Sequence, residues 1–172
     1  MSRNRRIVLI TSAALVFAVA VLLWLSKDYI TERKSIEGSG AFFIATDGAR
    51  FMVTMDDLAE IGSRVIDANY KTNLMPAVQK KYTGVSLNSL LNHLGVDYSA
   101  AKSVSFSAAD GYVSAAPISD AMDEDNCFVV FEENGKPLGT RESGGLGPYM
   151  VVFARDRFSQ RWCKYLLEVT LR

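Results

Sequence analysis

The chain has 172 residues, with 19 Lys and Arg against 19 Asp and Glu, so its formal net charge is zero. That balance, with no basic run carrying interleaved aromatics, excludes the field by which nucleic-acid binders hold phosphates. A single His, His93, and two cysteines, Cys127 and Cys163, without Cys-x-x-Cys spacing exclude a structural zinc site.

The first element in chain order is an apolar run. Arg3, Arg5 and Arg6 precede residues 7–25, which carry no charge. About 19 residues rising about 1.5 Å each span roughly 28 Å, close to the hydrocarbon thickness of a bilayer. A helix satisfies every backbone polar group there without partners, and Trp24 suits the headgroup layer. The chain therefore divides into a cytoplasmic basic flank (1–6), a transmembrane anchor (7–25), a polar linker (26–40) and one extracytoplasmic domain (41–172). The positive-inside rule favours a cytoplasmic N-terminus, although the far flank mixes Lys27, Arg33 and Lys34 with Asp28, Glu32 and Glu37. The rival is a cleaved signal peptide. Ala18-Val19-Ala20 has the small-x-small form, but the apolar run continues past it to Leu25. No Cys follows the run to take a lipid.

About 130 residues remain, enough for one domain with its own core. Residues 41–46 read as a strand, Asp47-Gly48 as its turn and residues 51–54 as the returning partner. Thr54 can cap a helix over 55–61, with Asp57 in the capping-box position and Gly62 ending it. Residues 64–72 and 78–82 suggest strands. Ser86 caps a helix over 87–94, whose Leu87, Leu90, Leu91 and Leu94 form one apolar stripe, and Gly95 can take the left-handed position beyond it. His93 lies off that stripe, at the surface or boundary.

Residues 102–108 alternate strictly, with Val104, Phe106 and Ala108 on one face and serines on the other, as in a half-buried strand. Asp110-Gly111 makes a turn into Tyr112-Val113, and Ser119 opens a short helical stretch. Residues 127–131 read as a core strand and Asn134-Gly135 as a hairpin turn. A glycine-rich loop follows at 143–148, then apolar strands over 149–153 and 162–171. Both cysteines fall in such apolar runs, as small buried hydrophobes or, in an oxidising compartment, as disulfide partners. Many short strands with few short helices give an α+β domain, and no long βαβ units point to a Rossmann sheet.

From Tyr82 onward the order of features matches a family. Tyr82-Thr-Gly-Val-Ser-Leu-Asn-Ser-Leu-Leu-Asn-His-Leu-Gly-Val resembles the "Y-x-G-V-x-L-x-x-L-L-x-x-x-G-V" segment of the oxidoreductase molybdopterin-binding domain, sulfite oxidase type. Asp110-Gly-Tyr is similar to its "A-x-D-G-Y" turn, and Asn134-Gly-Lys-Pro-Leu to its "N-G-x-P-L" hairpin. Gly147-Pro-Tyr-Met-Val-Val is similar to "G-P-x-R-L-V", and the segment from Trp162 to "W-x-K-x-L-x-x-I-x-V". Together these segments cover about 90 residues, and their order carries more weight than any one of them.

The resemblance implies a mixed α+β domain with a twisted sheet around a pocket. In the family's enzymes a cysteine upstream of "Y-x-G-V" supplies the thiolate that binds molybdenum. Residues 1–81 contain no cysteine, and Met150 stands where the family has its arginine after Gly-Pro. Ser or Asn cannot replace a soft thiolate without changing the metal's electronics. The resemblance thus points to a relative without the cofactor, and no catalytic or metal-binding residue is assigned. A pocket is expected around Asp110, Gly111 and Tyr112. Arg141, Gly147 and the 143–148 loop would offer it cationic and backbone donors for a small anionic ligand. The bland reading of the same residues is a turn, a core tyrosine and a flexible connection. The expectation is an anchored ligand-binding or interaction module, with the membrane through 7–25, a membrane protein and a small anion as partners. The alternative is a molybdopterin-dependent oxidoreductase with an unusual ligand set that passes electrons to a membrane partner.

Overall fold

The computed structural model describes residues 3–72 and 75–172, with side chains of part of the first helix left undescribed. That helix, α1 (Arg3–Ser39), runs without a break through 26–39, the segment expected to be a linker. The helix there has a simple cause: Thr31, Lys34 and Glu37 sit among good helix formers, and no Pro or Gly occurs before Gly38. Among the described residues no helix is long and apolar enough to cross a membrane, and part of the expected span, 7–11 and Leu25, lies outside the described side chains. In the described stretch the apolar groups point to solvent, with Phe17 71% and Trp24 73% exposed. The chain divides into two compact units, residues 1–35 and 36–172.

The second unit is built on two five-stranded sheets. The first combines β1 (Phe42–Ala45), β2 (Arg50–Val53), β5 (Ser103–Ala108), β6 (Val113–Pro117) and β10 (Leu166–Leu171) in the order β2-β1-β10-β5-β6. Its one parallel pair joins β1 to β10, with Ile44 opposite Val169. The second combines β3 (Arg64–Thr72), β4 (Met75–Ser86), β7 (Cys127–Glu133) and β8 (Lys136–Pro137) in that order, with β9 (Met150–Phe153) also on β7. Helices α2 (Met55–Ile61) and α3 (Leu87–His93) pack on β4, α3 also on β7, while α4 (Ile118–Ala121) lies against β5 and β6.

The core lies between the sheets. Phe42, Ile44, Val104 and Phe106 from the first meet Phe128, Val130, Met150 and Phe153 from the second, all nearly or fully buried. Edge-to-face rings tie the layers, Phe106 to Phe153 at 5.8 Å and Phe42 to Tyr149 at 4.9 Å. Burying a side chain of this size contributes roughly 1.5–3 kcal/mol. The serine face of β5 is less open than its alternation suggests, because Ser105 is buried between Thr170 and Ala115 on the neighbouring strands.

The helix caps follow the sequence. The Thr54 amide donates to Asp57 Oδ2 at 2.7 Å, and the Ser89 amide donates to Ser86 Oγ at 3.1 Å. Gly84, the glycine of the Tyr-x-Gly-Val segment, marks a register shift between β4 and β7. A Cβ there would overlap the Val129 carbonyl oxygen and come within 2.7 Å of Val130 Cα, so only glycine lets these strands approach. The final segment departs from expectation. Cys163 makes an isolated bridge with Val151, Tyr165 takes a positive φ of 53°, and only from Leu166 does a regular strand run. The turn at Tyr165 switches the chain from the second sheet to the first.

Candidate functional site

The expected site residues occupy two neighbouring turns. Asp110 Oδ1 accepts the Tyr112 amide at 3.0 Å across Gly111, whose φ is 90°. This closed Asx turn leads into β6. The Tyr112 ring is half-exposed and its hydroxyl donates to the Gln160 carbonyl, which pins β6 to the Ser159–Arg161 turn. Burial, then the neighbouring Cys163 and Asp110, raise the Tyr112 phenol above its ordinary range. Asp110 through Tyr112 thus form a turn and a tether beside the Cys163 thiol.

The glycine loop is tight, not flexible. The amides of Ser143 and Gly145 donate to the Thr140 carbonyl, and that of Gly144 to Arg141. Those of Leu146 and Gly147 donate to Leu138 and Gly139 at 3.0 and 2.8 Å. The backbone donors expected for an anion are therefore spent inside the loop. A Cβ on Gly145 would overlap the Leu138 carbonyl oxygen, and one on Gly147 would meet Leu138 Cβ at 2.7 Å. Arg141 lies exposed in the turn ahead of the glycines and lines neither cavity described below.

The structure brings the two turns together through the chain at Tyr165. The Ala109 amide donates to the Tyr165 carbonyl at 2.8 Å, and the Tyr165 amide to Leu146 at 3.0 Å. Around this junction Ala41, Ala109, Gly147, Pro148 and residues 165–167 enclose a cavity of about 10 Å³. That is room for about one water, against roughly 300–1,000 Å³ for a small-molecule site. Of the expected residues only Gly147 and Pro148, both in the glycine loop, line it. A second hollow of about 200 Å³ opens elsewhere, beside Thr46, Asp47, Asp97, Leu171 and Arg172. The Asp97 carboxyl there is held below its usual range by the Ser99 amide that caps it.

These residues do not fit a molybdopterin group. Its metal needs a reachable thiolate, yet Cys127 and Cys163 are both fully buried and free, with no disulfide between them. Burial pushes the Cys163 thiol up to about 12, and Cys127 is raised further. The cavity at the two turns is lined by neutral groups and offers its phosphate no cation. Among the described residues no three His, Cys, Asp or Glu side chains are grouped to hold a metal.

A second cluster was not singled out by the sequence. Inward-facing residues of the β3–β4 hairpin, Tyr70, Lys80 and Tyr82, meet Trp162 and Lys164 from the final segment. Trp162 packs on Tyr82 at 5.7 Å and on Tyr70 at 6.0 Å. Lys164 Nζ donates to the Tyr70 hydroxyl at 3.0 Å, and Lys80 Nζ to Glu133 Oε1 at 2.7 Å. The signal available beforehand was slight: the alternation of Ile66, Ala68 and Tyr70 along β3 marks an inward face, but nothing in it names Lys164 as the partner.

His93 is a boundary residue, 3.7 Å from Glu60. The model described as the oxidoreductase molybdopterin binding domain matches residues 53–172. Among solved structures, the sulfane dehydrogenase SoxCD from Paracoccus pantotrophus is similar in fold, with a TM-score of 0.64 at 17% sequence identity. The likeness covers 78% of this chain and 38% of that one, so the chain spans well under half of that protein's length. No curated protein matches the chain. A mixed, sheet-rich α+β domain and a family match over most of its length lead to one conclusion: the chain belongs to the oxidoreductase molybdopterin-binding domain family, of the sulfite oxidase type.

Proposed function

We propose that this family member works without molybdenum, as a membrane-anchored extracytoplasmic module that binds a small ligand or a membrane partner. One observation carries the reading: residues 1–81 hold no cysteine, and the two thiols present, Cys127 in β7 and Cys163 in the bridge to Val151, are buried and held protonated. A family fold without a reachable thiolate lacks the metal's ligand, and fold alone does not supply the chemistry. The anchor rests on the uncharged run 7–25 behind three arginines. The exposed Leu15, Val16, Phe17, Leu22 and Leu23 on the described part of α1 support it, since an all-round apolar helix needs a non-aqueous surrounding.

The test is metal analysis of the full chain, purified in detergent from a host that makes molybdopterin. We expect no molybdenum in folded protein recovered from the membrane fraction. About one molybdenum per chain would overturn the reading in favour of an oxidoreductase with an unusual ligand set. Cys163 would then be the thiol to replace first, because it neighbours Asp110 and Tyr112. Recovery of the full-length chain in the soluble fraction would remove the anchor.

A further inference from the structure

We propose that the cluster of Lys80, Lys164, Tyr70 and Tyr82 beneath the β3–β4 hairpin is the domain's ligand site, and that it binds an oxyanion such as a phosphate group. The inference rests on the cofactor-free reading above and says where such a ligand sits and what it is.

The first support is an excess of cations. Lys80 Nζ lies 4.7 Å and Lys164 Nζ 5.2 Å from the centre of the same Tyr70 ring, so the two are at most about 10 Å apart, near one Debye length. Each ammonium gains from the ring face, but they repel each other. Among the described residues a single carboxylate, Glu133, is bonded to the group, and it pairs with Lys80. Among the described residues Lys164 has a hydrogen bond to the Tyr70 hydroxyl and no carboxylate. Lys71 and Arg157 stack on Phe158 in the adjoining segment and add positive charge at its edge.

The second support is independent of the first. The Tyr82 side chain is fully buried and its hydroxyl makes no well-formed hydrogen bond, with Glu133, already held by Lys80, as the acceptor in reach. A buried hydroxyl left unmet costs about 1–3 kcal/mol. Burial, then Glu133 across the strand pair and Tyr70, keeps the Tyr82 phenol protonated, so it remains a donor. Two ammonium groups and a protonated phenol are therefore gathered around one carboxylate. An oxyanion, with several lone pairs and charge to match Lys164, supplies what is missing. Lys80 and Lys164 are each only partly buried, which leaves a small anion a way in.

The experiment uses the full chain in detergent. The protein has two tryptophans, so Trp24→Phe leaves Trp162, in contact with both cluster tyrosines, as the only indole reporter. Inorganic phosphate is titrated while Trp162 emission is followed. A saturable change with half-saturation below about 1 mM is expected. It should weaken at least about tenfold in Lys164→Met, weaken in Tyr82→Phe, and stay unchanged in Lys102→Met, an exposed lysine in the bend before β5. Thermal melts establish that each variant is folded. A parallel arm uses nanodiscs of phosphatidylglycerol against phosphatidylcholine. A response to phosphatidylglycerol alone, abolished by Lys164→Met, keeps the site and makes a lipid headgroup the source of the anion. No saturable change in either arm, or a change that survives Lys164→Met, overturns the proposal. Molybdenum is measured on the same sample, so failure of the cofactor-free reading shows separately from failure of the anion site.

Discussion

Two parts of the domain carry the features usually read as ligand-binding, and they treat their donors in opposite ways. In the loop from Leu138 to Pro148 each amide from Ser143 to Gly147 meets a carbonyl of the same loop. Around Tyr70, the one carboxylate bonded to the group pairs with Lys80, Lys164 bonds the Tyr70 hydroxyl, and the buried Tyr82 hydroxyl makes no well-formed bond. The comparison teaches that a glycine-rich segment is no evidence of a site until its amides are accounted for, whereas donors that outnumber their acceptors are the place to look for one.

The largest effect should come from breaking the satisfied region. Gly145→Ala drives a methyl into the Leu138 carbonyl and to within 2.8 Å of Gly139 Cα. We expect a loss of about 3 kcal/mol or more in urea unfolding with an unchanged m-value. A loss under about 0.5 kcal/mol would mean the loop can open and present its amides after all. Next comes Lys80→Met, which leaves the largely buried Glu133 without its cation. It should cost about 1–2 kcal/mol by the same measurement. Tyr82→Phe should run the other way. Removing a hydroxyl with no well-formed hydrogen bond should leave stability unchanged or raise it by up to about 1 kcal/mol. A clear destabilisation would show that the hydroxyl has an acceptor and would weaken the contrast.

The smallest effect lies in a cap outside both regions. Hydrogen bonds from the Thr54 hydroxyl and amide hold the Asp57 carboxyl below its ordinary value. Its contribution is complete above the unfolded carboxylate pKa of about 3.9 and is lost as pH falls through the lower folded value. Stability measured from about pH 5 down to about pH 2 should therefore fall less steeply in Asp57→Asn than in the parent.

Local chemistry made much of the fold readable. Ser86 before the Leu87, Leu90, Leu91 stripe defines α3, Thr54 with Asp57 starts α2, and Asn134-Gly135, both at positive φ, forms the β7–β8 turn. The order of segments from Tyr82 gave the family. What stayed hidden depends on distant pairing. Trp162 reads as the start of a strand, but its neighbour Cys163 bridges Val151 and the chain turns at Tyr165 before joining the first sheet. The Lys164–Tyr70 bond joins residues 94 apart in sequence, a separation no local pattern encodes. The glycines of the 143–148 loop looked loose because a sequence does not show the backbone that a Cβ would strike.

The parallel pairing of β1 with β10 also has a mechanical meaning. The chain enters the domain at the start of β1 and leaves at the end of β10, and the two strands lie side by side in the same direction. Tension between these points would slide the strands past each other and load their hydrogen bonds together, instead of opening them one at a time. The same contact joins residues more than a hundred positions apart, so it closes only after the last strand has been made. The strand pair completed last is therefore also the pair that such tension would load.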